Sequence, residues 1–402
     1  MSFGASWIQP SDLALVALSL ALGAAFVRRR VRPSGWGIAA AGVAYLLALA
    51  LSIALASDPA DLAWLRLVAY APFVLLPWTL PHAIEAEEGA RLVVRAWLLA
   101  AGVSIALGLI QVAGFYAARR WFADAFPCSY GRIPEGPYPR ICGPFRNPNA
   151  FVDYLAATAP LAILFARDLV PRRWLIPAAG AFGVASLFTL SSGIGGIAVA
   201  AAIAGGAVVP ARRRVLLAGG LLVAAGFLLA SVGYRVPAGF GHVSVPGGEW
   251  HVLKGPRVHT WLSAVATIRD HPVTGVGYGS LVAHAPRLRR WYRQGYAEAL
   301  HVDRPPTKDA HQTWLSVAGQ AGFVGLAAFV GLLVACVRGL SAAGRRGPPG
   351  GIAPRLAVAV FAGLVGTVGY HGLFASVEEF RHVWALVALG VVSLRLRGGA
   401  RA

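Results

Sequence analysis

Histidine and arginine are the residue types whose placement in this chain can do chemistry. His311 stands in the string Lys308-Asp309-Ala310-His311-Gln312-Thr313-Trp314-Leu315, where Thr307 or Asp309 can cap a helix that then enters an apolar run. That places an imidazole in the first helical turn. The positive end of the helix dipole and neighbouring arginines both disfavour imidazolium, so His311 is expected to be neutral and able to accept a proton. A general base needs this property. The plain alternative is a histidine that only anchors a helix end at a membrane interface.

Arginines form the second constellation. Arg132, Arg140 and Arg146 fall in one connecting segment, and Arg235, Arg257, Arg269, Arg287, Arg289, Arg290, Arg293 and Arg304 in another. Guanidinium groups suit a headgroup or a phosphate ester, which they bind through paired N–H donors. There is no P-loop and no D-x-D pair. A phosphate leaving group is therefore expected to be neutralised by guanidinium rather than by a metal ion.

The elements that must carry these residues are membrane helices. Of 402 residues 57% are hydrophobic and 13% charged, about half the charge of an ordinary soluble domain, which argues against a soluble enzyme. Apolar runs near 12–27, 36–56, 63–80, 91–115, 149–166, 174–190, 194–210, 215–233, 313–337, 355–375 and 382–394 predict an all-α, polytopic membrane protein with about 11 transmembrane helices. The clusters Arg28–Arg30, Arg172-Arg173, Arg212–Arg214, Arg345-Arg346 and the tail with Arg395, Arg397 and Arg401 fall on one face, which the positive-inside rule makes cytoplasmic. The N-terminus is then outside, and the first helix reads as retained rather than as a cleaved signal peptide.

This topology divides the chain into N-terminal helices (1–116), a first outer loop (117–149), central helices (150–233), a large outer segment (234–312), expected to be helical, and C-terminal helices (313–402). An uninterrupted connection as long as the second outer segment is usually functional. Within it Val258, Trp261, Leu262, Val265 and Ile268 recur at helical spacing, as in an amphipathic helix on a membrane surface. The arginine-rich stretch 287–293 either does the same or only anchors at the interface. The formal charge of +19 is in large part inner-face topology, but about +5 remains on the second outer segment and about +3 on the first. No nucleic-acid partner is needed to explain it.

Cys128 and Cys142 share the first outer loop, where an oxidising compartment favours a disulfide closing it. Cys336 reads as a small apolar residue. No cysteine or histidine spacing suggests a metal site. The helices hold few ionisable residues: Arg66, Arg95 and Asp153 fall near expected ends or can snorkel. This weighs against a non-catalytic membrane transporter, which would line a path with such groups. Glu378 and Glu379 read as a solvated outer loop, or as groups that orient His311 or an arginine.

Three strings carry a family resemblance: Gly143-Pro144-Phe145-Arg146-Asn147-Pro148-Asn149-Ala150-Phe151; His271-Pro272-Val273-Thr274-Gly275-Val276-Gly277-Tyr278-Gly279; and His311-Gln312 with Leu315, followed by Gly319, Gly322 and Gly325. In this order they resemble the bacterial O-antigen ligase and polymerase family, from about Phe145 to Gly325. The resemblance implies transfer of a glycan from undecaprenyl pyrophosphate to an acceptor hydroxyl at the periplasmic face of the inner membrane, with no cofactor. The acceptor is lipid A-core in a ligase or the growing glycan in a polymerase. By resemblance His311 is the base and Arg257 holds the pyrophosphate. The family's Ser-Arg-Gly turn reads Ser191-Ser192-Gly193 here, so a second phosphate-binding arginine is missing, and Arg146 or Arg140 is the available substitute. Gly275, Gly277 and Gly279 are expected to permit tight turns, and Gly319, Gly322 and Gly325 to permit close helix packing.

Overall fold

Asn147-Pro148-Asn149 is a helix start written in three residues. Asn147 is extended, its side-chain oxygen accepts the Asn149 N–H at 2.8 Å, and Pro148 occupies the first helical position, where its missing N–H costs nothing. The computed structural model describes residues 36–84, 86–118, 139–145, 147–233, 240–245, 248–253, 258–281, 309–346 and 351–399. Its helices are α1 (Trp36–Ala54), α2 (Ala63–Ala83), α3 (Glu87–Ala118), α4 (Pro148–Leu169), α5 (Arg172–Phe188), α6 (Ile194–Val208), α7 (Arg213–Gly233), α8 (Val258–Asp270), α9 (Thr313–Arg346), α10 (Ile352–Leu364) and α11 (Arg381–Gly399).

Every expected apolar run from 36–56 onward coincides with a helix; the run 12–27 lies outside the described residues. Among the described residues six helical stretches are long and apolar enough to cross a membrane, and Ile194–Val208 is apolar but shorter. One part of the second long segment departs from the helical expectation. Phe240–Val245 and Gly248–Leu253 pair as an antiparallel hairpin, strands β1 and β2.

The chain divides into two compact units. The first comprises residues 1–83 and 229–339. In it the glycine-rich loop 272–279 docks against an interruption of α9. Gly322 has φ 62°, outside helical geometry. The backbone groups around this break are taken up by the loop: Phe323 N–H donates to Pro272 O at 2.7 Å and Val324 N–H to Val273 O at 3.2 Å, while Val276 and Gly277 donate to Gly319 O and Gln320 O. A membrane helix can be broken where neighbouring protein satisfies the freed groups. Gly275, Gly277 and Gly279 all have positive φ, the tight-turn role expected of them. Gly322 differs from expectation: it marks the break, and a Cβ there would run into the Val273 carbonyl.

The second unit, residues 84–228 and 340–402, is built around α4, which packs on α3, α6 and α10. Phe151, Val152, Leu155, Ala156 and Ala157 are fully buried. Gln111 on α3 grips the approach to α4, accepting from Cys142 N–H at 3.1 Å and Gly143 N–H at 2.9 Å and donating to Gly143 O at 3.0 Å. Cys142 and Cys336 are buried; Cys128 lies outside the described residues.

Candidate functional site

In the first unit the site is the segment that leads into α9. Asp309 Oδ1 accepts the His311 backbone N–H at 2.8 Å, an Asx turn. The same oxygen lies 3.2 Å from His311 Nδ1. His311 itself has φ 50°, a left-handed conformation that costs a non-glycine residue about 1 kcal/mol. The helix starts later than the sequence reading places it. Gln312 is the cap, its Oε1 accepting the Leu315 N–H at 2.5 Å and its carbonyl the Ser316 N–H at 2.8 Å. His311 therefore precedes the first turn of α9, and Asp309 orients it rather than capping the helix.

The amphipathic helix α8 supports this segment. Among its described side chains Thr260, Ala264 and Thr267, spaced for one helical face, are buried. Thr260 Oγ1 donates to Ala310 O at 3.4 Å, and Ala264, Val276, Leu281 and Ala310 form one apolar cluster with Leu315 against it. These buried residues are small, while Trp261, Val265 and Ile268 from the apolar stripe are half-buried. Arg257, the residue before α8, lies outside the described residues, as do Arg146 and the stretch 287–293.

In the second unit the site is the turn Leu190-Ser191-Ser192-Gly193. Arg140 donates from Nε to Thr189 O at 2.9 Å and from Nη2 to Asn149 Oδ1 at 3.1 Å. Ser191 Oγ donates to the same Asn149 oxygen at 2.8 Å. Arg140 thus brings a guanidinium to the turn whose own sequence lacks one.

One turn along α4 from Asn149 stands Asp153, fully buried. Its Oδ1 is 2.8 Å from His371 Nδ1 and its Oδ2 is 2.8 Å from His382 Nε2. Asp153 stands near the start of its helix, one of the two readings the sequence left open, and does not snorkel, the other: its carboxylate is held by two imidazoles inside the protein. A π-helical turn, Val365–Tyr370, followed by the 3-10 turn His371–Leu373, aims His371 at it. Such turns recur at functional sites. Glu378 is also not solvated: it is 2% exposed, and its carbonyl accepts the Trp384 Nε1–H at 2.8 Å.

The structure therefore separates the sequence candidates. His311 and the segment after Arg257 belong to the first unit, and Arg140 to the second. It adds His371 and His382, which sequence reasoning passed over, as partners of Asp153, which was noted only as an ionisable residue within a span.

Residues 150–330 match a family model described as O-antigen ligase, which bears out the resemblance carried by the motifs. No curated protein matches the chain. The match includes the Ser191-Ser192-Gly193 turn, α8 and His311, and leaves Arg140, His371 and His382 outside it.

Proposed function

Given that the chain carries an O-antigen ligase domain over residues 150–330, we propose that it is a glycosyltransferase of the inner membrane. It moves a glycan from undecaprenyl pyrophosphate to an acceptor hydroxyl at the periplasmic face, with lipid A-core as the acceptor. The observation that supports this most is the pairing of His311 with Asp309, an imidazole held by a carboxylate at the end of a long outer segment.

The chemistry follows from that pairing. The Asp309 oxygen 3.2 Å from Nδ1 favours the ring tautomer with its hydrogen on that nitrogen, in which Nε2 is the proton acceptor. A sugar hydroxyl attacks the anomeric carbon of the donor as its proton passes to His311 Nε2. The bond from that carbon to the pyrophosphate oxygen breaks, and undecaprenyl pyrophosphate leaves with the electron pair. Guanidinium groups are suited to the charge that develops on the leaving group. Arg257 is assigned to it from the resemblance. Of the two candidates for the missing turn arginine, Arg140 has the supporting geometry, through Thr189 and Asn149; Arg146 stays a candidate by sequence.

Purified protein given both undecaprenyl-pyrophosphate-linked glycan and lipid A-core tests the reading. A ligase transfers the glycan to lipid A-core, a polymerase of the same family lengthens the lipid-linked glycan, and a non-catalytic transporter yields neither product.

A further inference from the structure

Two buried polar atoms on neighbouring turns of the second unit find no hydrogen-bond partner among the described residues: His371 Nε2 and Ser192 Oγ. Both side chains are more than nine-tenths buried. An orphaned buried polar atom costs about 1–3 kcal/mol, so two at one place call for an explanation. They belong together because His371 packs on Gly193, the residue after Ser192. A Cβ on Gly193 would lie 3.1 Å from His371 Nε2 and would also collide with Val152. Gly193 is the cap of α6, so the helix opens beside these atoms.

The hydrogen bonds around Asp153 fix what His371 can offer. Its Nδ1 faces a carboxylate and must carry the hydrogen. In the neutral ring Nε2 is then a lone-pair acceptor. His382 bonds the other oxygen of Asp153, and the rings of Phe145, Tyr154 and Phe380 lie 6.1, 5.6 and 5.5 Å from its own, centroid to centroid. An acceptor nitrogen beside a serine hydroxyl matches a group that both donates and accepts. A phosphate oxygen only accepts.

We infer that His371 Nε2 and Ser192 Oγ form a subsite for an uncharged hydroxyl group, of the kind a sugar carries, with Asp153 and His382 as positioning residues. The ligand hydroxyl donates to His371 Nε2 and accepts from the Ser192 hydroxyl.

The test uses the full chain in lipid nanodiscs with 15N-labelled histidine. The His371 Nε2 resonance is identified by its loss in His371→Gln. It is expected at the position of an unprotonated nitrogen and to move on titration with octyl glucoside below its micelle concentration. Ser192→Ala, which removes one hydroxyl and no bond within the protein, is expected to raise the octyl glucoside concentration needed at least tenfold. A protonated Nε2, which donates instead of accepting, would overturn the inference. A resonance unmoved by octyl glucoside, or moved equally in Ser192→Ala, would overturn it too. These readouts are independent of glycan transfer, so they hold whether or not the proposed activity does.

Discussion

Asp309 holds His311 at two points: one carboxylate oxygen accepts the backbone N–H at 2.8 Å and lies 3.2 Å from ring Nδ1. The backbone bond is local, between residues two apart, and it stabilises a φ of 50° that histidine rarely adopts. Strain held in place by a specific partner is a property of functional positions.

Replacing His311 by glycine separates function from stability. Glycine accepts positive φ freely, so His311→Gly is expected to unfold at the same temperature as the parent or higher, by up to about 1 kcal/mol in stability. Glycan transfer is expected to fall about 10²–10⁴-fold, the usual contribution of a general base. Thermal unfolding in detergent and product formation, measured on the same preparation, check both halves.

Asp309→Asn keeps an oxygen for the Asx turn but removes the carboxylate. Its transfer rate is expected to fall less than that of His311→Gly, with binding of the donor lipid unchanged. A loss confined to the Michaelis constant of the donor would contradict an orienting role.

Arg140→Lys tests the turn. A lysine supplies charge but not the fork that reaches Thr189 O and Asn149 Oδ1 together. Stability is expected to drop by about 1–3 kcal/mol, and the Michaelis constant for the lipid donor to rise. An unchanged Michaelis constant would remove Arg140 from phosphate binding and leave it structural.

Gly322→Ala should be among the most damaging small substitutions. Its φ is 62°, and a Cβ would collide with the Val273 carbonyl, so the cost is expected to exceed about 1 kcal/mol. Gly102→Ala within α3, where a Cβ meets nothing within 4 Å, is expected to stabilise by roughly 0.5–1 kcal/mol. Thermal unfolding of the pair checks the difference in sign.

Asp153→Ala leaves two imidazole N–H groups facing a cavity. A loss on the order of 2–5 kcal/mol is expected, and a smaller one for Asp153→Asn, which retains one accepting oxygen. Equal unfolding temperatures for parent and Asp153→Ala would mean the triad is not formed.

The helices and the family were legible because their signals are local or cumulative: long apolar runs, Asn147-Pro148 as a cap, and glycines at 275, 277 and 279 that turn as expected. His311 was legible from its position just before an apolar run. Its left-handed backbone and the shift of the cap to Gln312 were not, since Asp309, Gln312 and Thr313 are all competent caps and only the competition among them decides. The pairing of Asp153 with two histidines was not legible for another reason. Its histidines lie more than two hundred positions along the chain, and a π turn, which has no sequence signature of its own, aims one of them. Glu378 was misread because charge predicts exposure only until a fold finds a place to bury it.

The most direct test of the central claim is the product formed by purified protein from undecaprenyl-pyrophosphate-linked glycan and lipid A-core, for parent and His311→Gly side by side. The account predicts glycan-bearing lipid A-core from the parent and a rate lower by at least about a hundredfold from the variant. Equal rates from a folded variant would contradict it.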